Sequence, residues 1–414
     1  MAETQIRDGR FKSLREERRL KAGDVSEIRI ENVAFGGDGI GRLDDMVVFV
    51  PYTVDGDIVR IELVEVRKRY AKGVLKEILT PSSHREKLRC ADYTHCGGCC
   101  YQHIGYEHQL VLKEKQVKDA YQRIGKFPDP PLRPILASPD PYHYRIKADF
   151  HVAYPKGKRP VMGFMSGASN RIVEIERCEI ADDRLNRLYG ELKGALRSGK
   201  WTPPTDRITL WSPEDDEKGL DSQTAPFITR TVKNKRMTTP LDGFFQANQY
   251  LIGEMIDQVV ADADLKGGES VIDGFCGAGL FGLFLAPLAG TIHGIEGNAR
   301  AIRAAGENLR RYGCGNVSLS HGDVGDILEK IFLDTGRPVD VLVIDPPRAG
   351  CERNLPDLII RLHPKRIVYV SCNPATQARD VRLLCNGGFR LESLQPLDMF
   401  PQTAHIEVIA LLTG

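Results

Sequence analysis

Between about residues 22 and 81, hydrophobic and polar positions alternate with a period of two in several short runs. Runs of this kind cover 27–33 and 58–66, and an apolar run lies between them at 46–50. Clusters of glycine and aspartate, such as the one at 36–39, separate the runs and predict tight turns. Several short strands at regular spacing are typical of a small closed β-barrel, which we expect in this part of the chain.

The pattern becomes helical after about residue 102. A helix over 102–125 is predicted by apolar residues that recur at nearly helical spacing, namely Leu110, Val111, Val117, Tyr121 and Ile124. Short strands then dominate from about 133 to 239, with one helix predicted over 182–198. This part of the chain therefore reads as a mostly β segment. A predicted amphipathic helix at about 248–263 follows it.

Strands and helices alternate through the rest of the chain, as in a parallel sheet covered by helices. The first of these strands runs into Asp273 and a glycine-rich turn that ends at Gly279. Two later buried strands lead into Asp345 and into Cys372. The last strand begins near Glu407. We therefore predict an α/β fold with a C-terminal Rossmann-like domain.

Composition limits the possible classes of protein. A chain of 414 residues is long enough for two or three domains, and its net charge of +1 gives no global attraction to nucleic acid. Any RNA site must therefore use local basic patches, such as the arm at 1–21 or the cluster at 67–72. No apolar run reaches the length of a membrane span, and no apolar signal region follows the charged N-terminus, so we expect a cytoplasmic protein that does not bind membranes.

Three cysteines with the spacing C-x5-C-x2-C, at Cys90, Cys96 and Cys99, predict a metal centre rather than a disulfide framework. The intervening glycines let the backbone fold tightly around a bound group. Cys178 is the best candidate for a fourth ligand, because apart from this cysteine-rich motif it is the only cysteine before the predicted Rossmann-like domain. Four thiolates fit either a [4Fe-4S] cluster or a tetrahedral zinc ion, and the spacing alone leaves both open, together with thiols that bind no metal.

Acidic residues follow successive strands of the predicted parallel sheet. Glu296 ends the strand that follows the glycine turn, where a carboxylate accepts hydrogen bonds from ribose hydroxyls. Asp323 stands at the end of the next strand, where it can meet an adenine amino group. Because ligands of such sheets bind at the carboxyl ends of the strands, the ordered set predicts an adenosine-containing cofactor.

The reactive residues come from the last strands. Asp345 opens a proline-stiffened turn that reads Asp-Pro-Pro-Arg, and Cys372 leaves a buried strand followed by Asn-Pro, which exposes its sulfur. A thiolate, a carboxylate base such as Glu407 and a methyl donor together specify methylation at carbon 5 of a pyrimidine.

Other interpretations remain open from the residues alone. Methylation of a cytosine carbon usually uses a second cysteine in the Pro-Cys turn, which this chain lacks. Methylation of a base nitrogen at the Asp-Pro-Pro turn needs no thiol. A protein that only binds RNA, on a degenerate methyltransferase frame, is the third possibility.

With these motifs together, the chain resembles the class I RNA uracil-5 methyltransferases over nearly its whole length. The resemblance implies a basic arm at 1–21, a TRAM-like barrel at 22–81 and a methyltransferase domain at 241–414. It also implies a central β domain made of 82–101 and 134–240, with the segment 102–133 as a helix packed on the catalytic domain.

The resemblance further assigns site residues. It implies that Cys372 is the nucleophile and Glu407 the base. It implies a [4Fe-4S] cluster on Cys90, Cys96, Cys99 and Cys178, and S-adenosylmethionine contacts from Gln246, Phe275, Glu296, Asp323 and Asp345. The chain departs from the family motif at Gly274, usually apolar, and at Leu280, usually polar, so a polar cofactor contact at 280 is not expected.

The RNA substrate follows from the same resemblance. Many bacterial enzymes that methylate position 54 of tRNA lack both the cluster and the barrel, so the resemblance favours a uridine of 23S rRNA and keeps tRNA as the alternative. In either RNA, the target base must be flipped out of structured RNA to reach a pocket. We expect a monomer.

Overall fold

The computed structural model describes residues 20–167, 169–214, 226–335, 339–352 and 354–414. Nearly all of the predicted basic arm at 1–21 lies outside these residues. The chain divides into two compact units, one with residues 1–32 and 38–83 and the other with residues 33–37 and 84–414. None of the described helices is long and apolar enough to cross a membrane.

The first unit is a closed five-stranded barrel with the strand order β1-β2-β3-β5-β4. Its core consists of alternating aliphatic residues, including Ile30, Val48 and Ile61, none of which is exposed to solvent. The strands are β1 (Val25–Val33), β2 (Gly39–Leu43), β3 (Met46–Val50), β4 (Ile58–Val66) and β5 (Tyr70–Thr80).

Strand β2 was not predicted, because glycines interrupt its alternation. The structure gives the reason for the glycines. A Cβ atom on Gly41 would lie 2.6 Å from the Arg29 carbonyl oxygen, and one on Gly39 would lie 2.0 Å from Thr53 Oγ1. Close packing inside the barrel therefore requires glycine at both positions.

Helix α1 (Tyr106–Arg123) begins the larger unit after the cysteine motif, and it packs against the catalytic domain through Val117 and Tyr121. The predicted apolar face is wrong in part, because Val111 is 58% exposed and Ile124 is 44% exposed. Polar side chains of Gln109 and Lys113 are buried on this helix instead, in hydrogen bonds to a distant loop.

The central β region contains a four-stranded sheet with the order β8-β7-β6-β9, and α2 covers it. A separate hairpin, β10–β11, is tied to the catalytic domain, because the Asn308 amide exchanges two hydrogen bonds with the Thr238 backbone. The elements are β6 (Lys147–Ala153), β7 (Val161–Met165), β8 (Ile172–Val173), α2 (Asp183–Arg197), β9 (Arg207–Trp211), β10 (Phe227–Val232) and β11 (Lys235–Pro240).

The catalytic domain is built on a seven-stranded sheet with the order β14-β13-β12-β15-β16-β18-β17. All neighbouring pairs up to β16 are parallel, and β18 runs antiparallel to both of its neighbours. Its elements are α3 (Ile252–Ala263), β12 (Ser270–Gly274), α4 (Leu280–Leu285), β13 (Thr291–Glu296), α5 (Ala299–Arg311), β14 (Val317–His321), α6 (Val324–Thr335), β15 (Val341–Ile344), α7 (Leu355–Leu362), β16 (Arg366–Ser371), α8 (Pro374–Asn386), β17 (Arg390–Leu397) and β18 (Glu407–Thr413).

Candidate active site and cysteine centre

The antiparallel pairing of β16 and β18 brings Cys372 and Glu407 to the same edge of the sheet. Ser371 pairs with Val408, so the next position in the register sets Cys372, just after β16, against Glu407, the first residue of β18. This edge is also the carboxyl end of the parallel strands. A thiol and a carboxylate distant in sequence therefore meet where open α/β sheets bind their ligands.

The Cys372 thiol lies in a mixed electrostatic environment. Burial, followed by the charge of Glu407 and a smaller effect of Asp345, raises its pKa to about 11, although Arg348 opposes the shift through its charge and a hydrogen bond. The free thiol is therefore mostly protonated at neutral pH. The Arg348 guanidinium favours formation of the thiolate.

Arg348 is a site residue that the sequence analysis did not assign, although it directly follows the Asp-Pro-Pro turn. The start of α8 holds its backbone, because Asn373 Nδ2 and Thr376 Oγ1 donate to the Arg348 carbonyl at 3.1 and 3.2 Å. Its Nη2 lies 3.3 Å from His405 Nε2. Burial, then the charge of Arg348, lowers the pKa of His405 to about 4, so this imidazole is neutral and can accept from the guanidinium.

Glu407 belongs to a concentration of buried carboxylates. It is 3% exposed, and burial followed by repulsion from Asp345 raises its pKa well above the usual value. Burial, followed by repulsion from Asp273, raises the pKa of Asp345 to about 7. Asp273 also has a pKa of about 7, because burial outweighs its hydrogen bond from the Gly282 amide. A cation brought to this edge would relieve the repulsion.

Glu296 and the glycine turn form the neighbouring part of the edge. The Glu296 carboxylate accepts hydrogen bonds from the Gly277 and Asn298 amides at 2.9 and 2.6 Å, which fixes its orientation. Phe275 has a left-handed backbone with φ of 64°, so the turn reverses sharply after β12. A Cβ atom on Gly277 would meet nothing within 4 Å, which leaves open space beside the backbone.

The other two predicted cofactor residues differ in their surroundings. The Gln246 side chain is buried, yet its Oε1 has no hydrogen-bond partner among the described residues. Asp323 is exposed and accepts from the Asp326 amide at 3.0 Å, which caps the start of α6. The cap therefore occupies one of the two carboxylate oxygens of Asp323.

These features fit S-adenosylmethionine. An unsatisfied buried amide oxygen at Gln246 needs a donor, and the carboxylates of buried Asp273 and half-buried Asp345 favour a positively charged ligand such as a sulfonium. Glu296 lies at the end of the second strand of the domain, where such folds hold a ribose.

The two departures from the family motif have local explanations. A Cβ atom on Gly274 would lie 3.1 Å from Ile344 Cγ2 and 3.2 Å from Val324 Cγ1, so glycine permits close packing of β12 against β15 and α6. Leu280 packs against hydrophobic residues around α3 and α4.

The four predicted cysteine ligands line one cavity of about 250 Å³. Burial raises the pKa of every one of these thiols, to about 11 at Cys96, and the charge of Cys178 raises the pKa of the other three. Backbone amides oppose the shift at three of them, Gly98 for Cys96, Asp92 for Cys90, and Ala181 and Ile180 for Cys178. Converging thiols with amides directed at sulfur fit a metal-thiolate centre.

Two loops supply these cysteines from different parts of the chain. Gly97 sits so close to the β7 loop that a Cβ atom there would lie 2.9 Å from the Gly167 nitrogen, and its amide donates to the Met165 carbonyl. Cys178 is held by Asn186, whose Oδ1 accepts from the Cys178 amide and whose Nδ2 donates to the Cys178 carbonyl. The fold therefore fixes both sides of the cavity.

Comparison with known proteins finds RNA methyltransferase relatives. The family model described as tRNA (Uracil-5-)-methyltransferase matches residues 229–414, and the TRAM domain model matches residues 19–76. The chain is 33% identical to an uncharacterized RNA methyltransferase of Thermosynechococcus vestitus, over 94% of this chain and 98% of the relative. It is 31% identical to one of Halalkalibacterium halodurans, over 95% and 98%.

A solved structure shares the fold. The tRNA (uracil-54, C5)-methyltransferase of Pyrococcus abyssi, solved with S-adenosyl-L-homocysteine, superposes with a TM-score of 0.70. The alignment covers 94% of this chain and all of that chain at 24% identity. The fold of this chain therefore has a precedent among solved structures.

Proposed function

Because the chain belongs to the S-adenosylmethionine-dependent RNA uracil-5 methyltransferases, we propose that it methylates carbon 5 of one uridine through a covalent enzyme–RNA intermediate. Cys372 is the nucleophile and Glu407 the base. The observation that carries this proposal is the register of β16 and β18, which sets these two residues against each other at the ligand edge of the sheet.

The reaction uses the two residues in sequence. The Cys372 thiolate adds to carbon 6 of the uracil, and the ring electrons move to carbon 5, which becomes nucleophilic. S-adenosylmethionine, when bound, supplies the methyl group that carbon 5 takes. Glu407 then removes the proton left on carbon 5, and the electron pair of that C–H bond restores the ring double bond and expels the thiolate.

The electrostatics of the site suit both steps. Arg348 stabilises the thiolate against the effect of burial, and neutral His405 accepts from the guanidinium without adding charge. A buried carboxylate with a raised pKa is a stronger base than an exposed one, which matches the work assigned to Glu407. Gln246, Phe275, Glu296, Asp323 and Asp345 are the residues that would hold the methyl donor.

We also propose a [4Fe-4S] cluster on Cys90, Cys96, Cys99 and Cys178, with a structural role. The shared cavity, the burial and the amides directed at sulfur support it. Purification without oxygen followed by iron and acid-labile sulfide analysis tests the assignment. Stoichiometric iron and sulfide support the cluster, whereas zinc without sulfide would replace it by a tetrahedral zinc site.

For the RNA we propose 23S rRNA, because the chain combines the four-cysteine set with a TRAM match. A tRNA is the second candidate, because the matching family model carries that substrate in its description.

The deciding experiment incubates the protein with methyl-labelled S-adenosylmethionine and, in separate reactions, unmodified 23S rRNA and unmodified tRNA. Nucleosides are then identified by mass spectrometry. We expect 5-methyluridine from the rRNA reaction and none with Cys372→Ala. Product only in the tRNA reaction would change the substrate, and full activity of Cys372→Ala, or a methylated adenosine, would overturn the covalent mechanism.

A further inference from the structure

The loop that leads into Glu407 is buried and held by polar side chains of α1. We call residues 398–406 the base loop. Lys113 Nζ donates to Asp398 Oδ1 at 2.6 Å and to the Phe400 carbonyl at 3.0 Å, and neither side chain of the Lys113–Asp398 pair is exposed. Buried charges of this kind are retained where they fix a conformation rather than for net stability.

Gln402 lies at the centre of the base loop and has an unusual conformation. Its φ of 67° is left-handed, which is unfavourable for a residue with a side chain. Two hydrogen bonds with Gln109 hold it there. The Gln402 backbone N–H donates to Gln109 Oε1 at 3.0 Å, and Gln109 Nε2 donates to the Gln402 side-chain Oε1 at 2.9 Å. Gln109 is fully buried and Gln402 is 2% exposed.

The segment that follows the third cysteine also meets Gln402. We call residues 90–101 the cysteine loop. The amides of Cys100 and Tyr101 both donate to the Gln402 carbonyl, at 3.1 and 3.0 Å. Gln109 Nε2 also reaches the Tyr101 carbonyl at 3.2 Å. Gln402 therefore joins α1, the cysteine loop and the base loop.

Hydrogen bonds continue from this junction to the reactive groups. Thr403 Oγ1 donates to the Phe400 carbonyl at 2.8 Å and accepts from the His405 amide at 3.2 Å. His405 then contacts Arg348, and Glu407 follows two positions later. The Arg348 backbone is held by α8, and Glu407 pairs with Leu397 as the first residue of β18, so the junction acts on the segment that leads into this strand.

We propose that Gln109 and Gln402 are positioning residues that couple the cysteine loop to the placement of Glu407. This inference rests on the proposed covalent mechanism. Glu407 acts only after the thiolate has added and the methyl group has moved. A displaced base loop therefore slows removal of the carbon 5 proton and leaves methylated RNA attached to Cys372.

The test compares Gln402→Ala, Gln109→Ala and the double variant with wild type. Gln395→Ala is the matched control, because Gln395 is also buried but bonds to the Pro134 and Pro396 carbonyls. Turnover is measured as released 5-methyluridine, and the covalent complex as methyl-labelled RNA that migrates with protein on a denaturing gel.

We expect kcat to fall about 10-fold to 100-fold in the Gln402 and Gln109 variants, with the KM for RNA nearly unchanged and the covalent complex increased. The double variant should be little worse than either single one, because both remove the same contact. Gln395→Ala should lower the melting temperature without accumulation of the complex.

Two results would overturn the proposal: covalent complex no greater than in Gln395→Ala, or a rise in KM with kcat unchanged. If Gln402→Ala does not fold, Gln402→Gly replaces it, because glycine accepts the left-handed backbone and still lacks the side-chain amide. Failure of the mechanism itself is recognised separately, since wild type would then form no stable complex with RNA that contains 5-fluorouridine, whose fluorine Glu407 cannot remove as a proton.

Discussion

Asp273 lies on β12 and Asp345 directly follows the neighbouring parallel strand β15, and the pKa of each is raised to about 7 by burial and by nearby carboxylates. Lowering the pH through this range adds protons and removes negative charge from the proposed cofactor site. A sulfonium gains from the negative charge, whereas the neutral sulfur of S-adenosylhomocysteine does not.

Binding of S-adenosylmethionine should therefore strengthen as the pH rises from 6 to 8, by roughly 10-fold at most, because one unit of pKa corresponds to about 1.4 kcal/mol. Binding of S-adenosylhomocysteine should change less. Asp345→Asn should weaken binding of S-adenosylmethionine at pH 8 and flatten its pH dependence. Calorimetric titrations of both ligands at the two pH values measure this, and equal pH dependence for both would contradict the electrostatic argument.

Site residues were predictable from sequence where chain order alone determines position. Glu296 ends β13 and Asp345 directly follows β15. The carboxyl ends of parallel strands meet at one edge of the sheet whatever the details of packing. Glu407 begins a strand, so its approach to Cys372 depends on the long-range antiparallel pairing of β16 and β18. The roles of Arg348, Gln109 and Gln402 depend on side-chain directions and loop contacts, for which the local sequence has no periodic signal.

At the scale of elements, the start of α2 holds the fourth cysteine. Asp182 caps the helix by accepting from the Leu185 amide at 2.8 Å, and Asn186 in the first turn binds both backbone polar groups of Cys178. Helix and cysteine therefore form one rigid piece.

Asn186→Leu should release Cys178 and shorten the lifetime of the proposed cluster, because two backbone groups lose partners worth about 1 kcal/mol each. We expect the visible absorbance to disappear about 10-fold faster under an iron chelator. Asn316→Leu is the control, since Asn316 similarly bridges the Ala286 and Ala289 carbonyls away from the cysteines. Equal rates in the two variants would argue against the role of Asn186.

Element types were more predictable than their buried faces. The predicted helix at 182–198 corresponds to α2, because its amphipathic pattern follows a good capping residue. The face of α1 was predicted only in part, since Gln109, Lys113 and Gln116 are also buried there with polar partners. Periodicity identifies burial only where the buried surface is apolar.

At the scale of the whole molecule, the barrel carries a basic hairpin between β4 and β5. Arg67 and Lys72 lie near Glu65, at 2.6 and 3.6 Å, so part of their charge is neutralised locally. Lys68 and Arg69 are exposed at the tip. They are the better candidates for contacts with phosphates.

Replacing both Lys68 and Arg69 by alanine should weaken RNA binding and reduce the slope of log K against log salt by about 1 to 2. The turnover at saturating RNA should stay unchanged, because the chemistry lies in the other unit. Lys76→Ala is the control, since Lys76 pairs with Glu62 at 2.6 Å on the same barrel. Filter binding at several salt concentrations measures both effects; an unchanged slope would exclude this hairpin from the RNA interface.

The position of β18 also has a consequence for biosynthesis. In the sheet β18 lies between β16 and β17, although it follows both of them in the chain. While the ribosome is making the protein, β17 therefore emerges before the strand that joins it to the sheet and can pair at first with the earlier segment 131–136, and Cys372 emerges before Glu407. A nascent chain thus carries the proposed nucleophile before it carries the proposed base, and the edge that sets the two against each other is among the last parts of the sheet to form.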